Sequence, residues 1–281
     1  MPKKLVYILI FFVGNRMFCQ THTVDGAMQY RLAPYGKDID FYDLNLDVNY
    51  TLEHSKFKIT NGIAYSVLNI NYNTNTPFVA ESLNRFYNFS YGIQVDYYVT
   101  DSWGLGAILK AGLYSNFIDA ISKDDVLVTG DFYAKKSWQD AYVAFGVSYN
   151  VVFGQPEWTP VFKFYKALND HVAFYVGFPE SQVHYKFNQK HALFVNLEQE
   201  GGYYNVSDYY NNSAALSSLN AHFTYQYGLD HNWAINLKAG YMFNTKYQLL
   251  DASDSAVYNF NITDQPFISA GLTFKMNTKN K

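Results

Sequence analysis

The chain has 281 residues, enough for one large domain or two small ones. Aromatic residues make up 19% of it and charged residues only 16%, against about 25% charged in an average soluble domain. A net charge of −3 excludes the basic stripe of a nucleic-acid binder, and a mean hydropathy of −0.20, with no apolar run of about 18 residues past the N-terminus, excludes an ordinary transmembrane helix.

The chain opens with Lys3 and Lys4, the apolar run "LVYILIFFVG" (5–14) and the polar exit "NRMFCQ". Charged start, short apolar centre and polar exit are the parts of a secretory signal peptide, so residues 1–19 are expected to be removed and 20–281 to form the mature domain. Phe18 precedes the one cysteine, Cys19, where lipid attachment wants a small residue, so a lipoprotein is disfavoured. A mature chain cut after Cys19 has no cysteine and needs no disulfide, although an exported protein could form one.

Past residue 24, period-two alternation governs the sequence. The run "FYDLNLDVNYTL" (41–52) sets Tyr42, Leu44, Leu46, Val48, Tyr50 and Leu52 against Asp43, Asn45, Asp47, Asn49 and Thr51. Successive side chains of a strand face opposite sides, so one face is apolar and the other hydrophilic. Two aspartates in a dry core would be costly, so the hydrophilic face is wet or densely paired. Runs 86–99 and 219–229 repeat the pattern, and less pure ones cover about 24–34, 57–72, 103–117, 125–135, 140–153, 159–167, 171–178, 181–188, 191–206, 233–246 and 266–276. That predicts an all-β domain of about 14 strands, or 12 if the Pro-interrupted 159–188 region contributes fewer.

Connection lengths alternate as well. "EHSK", "TDS", "KSWQD", "LND", "NQK" and "DHN" are short, while 73–82, 118–125, 207–213 and 247–265 are long. Short turns at one end and long loops at the other are expected of a transmembrane antiparallel β-barrel in the outer membrane. Asp and Asn make tight turns by bonding their own backbone, and Trp103 and Trp233, which follow two of these turns, are expected at headgroup level as an aromatic girdle. The closing strand "SAGLTFKM" (269–276), with Gly271, Phe274 and Met276, approximates the assembly signal of outer-membrane barrels, Met276 standing where an aromatic is usual.

With "TDSWGLGAILKAGLYSNF", the stretch 165–206 and the closing "AGLTFKM", the chain resembles an uncharacterised Gram-negative outer-membrane β-barrel family known as a domain of unknown function. The resemblance implies fold and location, with outer-membrane lipid, lipopolysaccharide and the barrel-assembly machinery as partners. It implies no activity.

No G-x-S-x-G motif is present, and four of the seven histidines lie in or beside the short turns, so no catalytic constellation is visible. "SKDD" (122–125) and "DASD" (251–254) lack EF-hand spacing and read as solvated acidic loops. No cofactor or metal is expected. The hydrophilic faces place Asp43, Asp47, Lys58, Asp96, Lys110, Lys163, Glu198, Glu200, His222 and Lys238 in the lumen. Mixed charge there fits a passive channel for small solutes. The alternative is a structural or surface-interaction barrel with a closed lumen, with an outer-membrane lipid-modifying enzyme less favoured; the solute is not legible.

Overall fold

The computed structural model describes residues 21–34, 36–37, 39–73, 81–206 and 212–279. The expected signal peptide (1–19) and most of the loops 73–82 and 207–213 lie outside them. The alternating runs become β1 (Thr21–Ala33), β2 (Ile39–His54), β3 (Phe57–Tyr72), β4 (Arg85–Tyr98), β5 (Trp103–Ser115), β6 (Val126–Ser137), β7 (Ala141–Asn150) and β8 (Glu157–Ala167). There follow β9 (Val172–Phe178), β10 (Glu180–Lys186), β11 (His191–Asn205), β12 (Ser213–Gly228), β13 (Trp233–Leu250), β14 (Ala256–Phe260) and β15 (Gln265–Lys279).

Each strand from β2 to β13 pairs antiparallel with its predecessor, and β15 joins β13 to β1, so β1–β13 and β15 close a fourteen-stranded barrel. Closure pairs the backbone groups of neighbouring strands round the ring, the condition for a sheet to span lipid, except for a gap at the long-loop end. Among the described residues no helix is long and apolar enough to cross a membrane. The apolar face of the alternation points outward: Val48, Tyr91, Phe223 and Leu237 are exposed around the wall, and Leu44 is half-buried.

Three stretches differ from the sequence reading. The run 140–153 ends as a strand at Asn150, because Asn150 Oδ1 accepts the Val152 backbone N–H at 3.0 Å and Gly154 turns at φ +96°. Residues 151–156 therefore form the β7–β8 loop. β12 starts six residues before the expected 219, its first residues pairing with both β11 and the end of β13. Within 247–265, expected as a connection, β13 runs on to Leu250 and pairs with the short β14.

The wall is uneven at the long-loop end. β9 and β10 have seven residues each, so β8 before Phe162 and β11 after Glu198 have no ladder partner on that side. The free end of β11 crosses instead to β5: Asn205 pairs with Ser115, and the Asn116 N–H donates to the Asn205 carbonyl at 3.3 Å. Five strands separate β5 from β11 one way round the ring and seven the other, so this contact ties nearly opposite walls together. Asp125 secures it, accepting from Asn205 Nδ2 at 2.8 Å and from the Ser122 backbone at 2.6 Å. Burial pushes the Asp125 carboxyl up, but hydrogen bonds from Asn205, Ser115 and Ser122 outweigh it and hold the group below its ordinary range.

Candidate functional site: a charged lumen beneath an apolar roof

Strand register stacks the inward side chains in tiers. Nearest the short turns, Lys58 stands opposite Asp96. Asp96 accepts hydrogen bonds from the Tyr133 hydroxyl at 2.7 Å and Gln94 Nε2 at 2.8 Å. The Tyr133 ring lies over Gly106, where any Cβ would collide with it. Lys163 lines the same cavity. Above this tier Asp47 and Lys110 share one cavity wall, and Glu198, His222 and Lys238 share another. His222 is buried, with its Nδ1 3.6 Å from Glu198 Oε1 and its ring edge-on to Phe267. All ten residues that the sequence places in the lumen line these interior cavities, Asp43 and Glu200 among them.

The third tier holds a residue the sequence reading missed. Arg31 on β1 donates from Nε to Asp43 Oδ2 at 2.5 Å and from Nη1 to Glu200 Oε2 at 2.7 Å. Glu200 is on β11, four strands away round the ring, so Arg31 reaches across interior space. Asn220 Nδ2 also donates to Glu200 at 2.8 Å, and Asn45 Nδ2 donates to Asp43 at 2.6 Å. One guanidinium between two carboxylates, each with a further donor, fixes its position by charge-assisted bonds. The signal was available: in "DGAMQYRL" Asp25, Ala27, Gln29 and Arg31 share the inward parity.

Above Arg31 the lumen becomes apolar. Phe41, Leu68, Ile70, Phe86, Met242, Tyr247 and Phe267, all on inward rows, form one buried cluster with Leu249 and with Phe260 of β14. The Tyr72 hydroxyl lies 3.0 Å from that of Tyr247 and bonds the Leu83 carbonyl at 3.1 Å. Full burial of each such side chain contributes about 1.5–3 kcal/mol relative to exposure, so the cluster is a stable roof.

Beneath it lies a cavity of about 530 Å³. Its walls carry Arg31, Lys110 and Lys238 against Asp43, Glu198 and Glu200, three charges of each sign, while Phe41, Leu68, Tyr114 and Tyr204 approach from above. One part of the covering is thin. Val151 and Val152 of the β7–β8 loop border the cavity where β9 and β10 stop short. No backbone hydrogen bond joins this loop to β11 among the described residues. It is held by Gln199 Nε2 on the Val152 carbonyl at 3.1 Å, Gln155 Nε2 on the Asp254 carbonyl at 3.1 Å and a stack of Phe153 on Phe178. Gly201 allows the close approach, since a Cβ there would run into the Val151 carbonyl.

The predicted girdle residues sit on the outer surface at the short-turn end. Trp103 is 49% exposed under a cation–π contact from Lys136, and Trp233 is 41% exposed against the Phe274 ring. Asp230 Oδ1 accepts from the Asn232 and Trp233 backbones at 2.7 and 2.8 Å, which hold its carboxyl below the ordinary range. In the other turn it is Thr100, rather than the neighbouring Asp101, that accepts from Ser102 and Trp103. In β15, Gly271 faces a lumen cavity while Met276 is exposed. Asp251 spends its Oδ1 on Ser253 and Ser255, and no cluster of three or more metal-binding side chains occurs among the described residues.

A family model described as Domain of unknown function (DUF6268) matches residues 28–275. No curated protein matches the chain. Among solved structures, the P. putida toluene transporter TodX aligns at 9% identity and TM-score 0.41, covering 93% of this chain and 90% of that one. The NanC porin aligns at 11% and 0.40, covering 90% and 100%. A KdgM porin in complex with disordered oligogalacturonate aligns at 10% and 0.39, covering 88% and 98%. The closed ring of strand pairings, not these loose likenesses, establishes the fold.

Proposed function

The chain belongs to this family of unknown function, and from that premise we propose that it is an outer-membrane channel for small polar solutes whose long-loop end is held closed. The observation that carries the reading is the change of lumen character along one set of inward rows, from charged tiers around open cavities to the buried cluster around Phe41 and Tyr247. A barrel with a purely structural role has no need to turn Asp47, Lys58, Asp96, Lys110 and Lys163 toward its interior, where each charge demands solvation. A permanently open pore has no need of an apolar roof. The solute path leaves the central cavity under the β7–β8 loop, past Val151 and Val152, and not through the packed cluster. The exposed apolar wall meets lipid and, on the long-loop side, lipopolysaccharide; the closing strand through Gly271, Phe274 and Met276 is the element the assembly machinery recognises.

Planar-bilayer recordings of the refolded mature chain test this. Wild-type protein should rest closed and show discrete openings to one conductance level, and Gly201→Leu, which pushes the β7–β8 loop off β11, should open more often. A wild type and a Gly201→Leu variant that both stay silent at every voltage would make it a sealed structural barrel and overturn the channel reading.

A further inference from the structure

Between the charged groups of the central cavity runs a row without charge. Gln29 on β1 stands opposite Asn45 on β2, Asn45 opposite Ser66 on β3, Ser66 opposite Asn88 on β4, and Asn88 opposite Tyr114 on β5. All five line the same cavity. Directly paired side chains are neighbours on the sheet face, and adjacent strands lie about 4.8 Å apart, so the row extends about 19 Å along the wall. Amides and hydroxyls in sequence offer donors and acceptors alternately.

Little of that capacity is used within the protein. Asn45 gives only its Nδ2, to Asp43. Among the described residues no side-chain hydrogen bond is formed by Gln29 or Ser66, and the buried Asn88 Oδ1 has no partner. At the end of the row the Tyr114 ring packs on Tyr204 at 6.3 Å between ring centroids, and both border the cavity with Phe41. The three basic and three acidic side chains of the lining cancel, and Arg31 is already held by Asp43 and Glu200.

We propose that the Gln29–Asn45–Ser66–Asn88–Tyr114 row is a binding site for a neutral polyhydroxylated solute of one or two sugar-sized rings. Hydroxyl groups match the amide and hydroxyl row, and the C–H face of a ring lies against the aromatic side chains. A charged solute would leave a counter-charge imbalance in the cavity, so neutrality is the preferred state. A volume of about 530 Å³ accommodates such a ligand. The inference deepens the channel reading by naming the solute class at its central cavity.

Binding is measured apart from conduction, by calorimetry on the full-length mature barrel folded in detergent, with maltose, glucuronate and glucosamine as probes. Maltose should bind saturably and more tightly than either charged probe. Gln29→Ala and Asn88→Ala, each checked for the folded gel mobility, should each weaken maltose binding about tenfold, the loss of roughly 1.4 kcal/mol. Absent maltose binding, a preference for a charged probe, or unchanged binding in both folded variants would overturn the assignment. Saturable maltose binding in a barrel that never conducts would sink the channel reading while leaving the site standing, and conduction without binding would do the reverse.

Discussion

Phe41 offers the sharpest test of how the roof is built. Its side chain is 1% exposed and belongs to the apolar cluster, yet it also borders the central cavity. Truncation to Ala removes six ring carbons, which at about 0.8 kcal/mol per buried methylene-sized group sets an upper figure of about 5 kcal/mol. In a sealed core a cavity penalty would keep the cost near that figure, since Phe→Ala substitutions cost about 3–5 kcal/mol. Here the vacated space joins a cavity of about 530 Å³ lined by charged side chains, polar and roomy enough for water to fill it, so the void term falls away. The expected destabilisation is therefore about 3 kcal/mol, read from reversible urea unfolding in lipid vesicles. The same vesicles should release a trapped small solute faster than those carrying wild type. A loss above 5 kcal/mol with unchanged release would mean that Phe41 is sealed from the lumen, and the tiered lumen would be wrong.

Other predictions probe the parts separately. Arg31→Met leaves Asp43 buried beside Glu200 without a counter-charge; breaking a buried pair costs about 3–5 kcal/mol, and the partial exposure of Glu200 puts this case near 3. Adding Asp43→Leu and Glu200→Met should recover most of that in the same unfolding assay, and a further loss would show that the network contributes more than its desolvation cost. Gly201→Leu drives a side chain into the Val151 carbonyl, so bilayer recordings should show the channel open several-fold more often; unchanged opening would remove the β7–β8 loop from the gate. Asp230 has a depressed carboxyl, so its contribution to stability is complete above the ordinary carboxylate range and disappears as pH falls through its own lower value. Asp230→Asn keeps the acceptor and does not titrate, so its thermal midpoint should fall less in acid than that of wild type, and parallel curves would contradict this.

Alternation made the ring legible because a barrel wall between lipid and water imposes period two on every strand. Short turns were legible because Asp230, Asn169 and Asn188 each bond the backbone two and three residues on. The roof was not, and for a physical reason. Ile39, Phe41, Ile70 and Phe86 occupy inward positions but are apolar, so at the long-loop ends both faces read alike and the parity signal fades. The crossing of β11 to β5 left no sequence trace, since Asn205 and Ser115 meet only because β9 and β10 are short. Of the candidate site, the charges on Asp43 and Glu200 were visible, whereas Arg31 stood in an impure run. The uncharged row depends on cross-strand register, which one sequence does not fix to the residue.

The central claim is that solute leaves the cavity under the β7–β8 loop. Gln199 bonds the Val152 carbonyl, so cysteines at Gln199→Cys and Val152→Cys can be joined by a short bis-maleimide in a mature chain without other cysteines. Single-channel recordings before and after cross-linking should show openings that vanish when the loop is tethered to β11. Openings that continue undiminished through the tethered loop would contradict the proposed path.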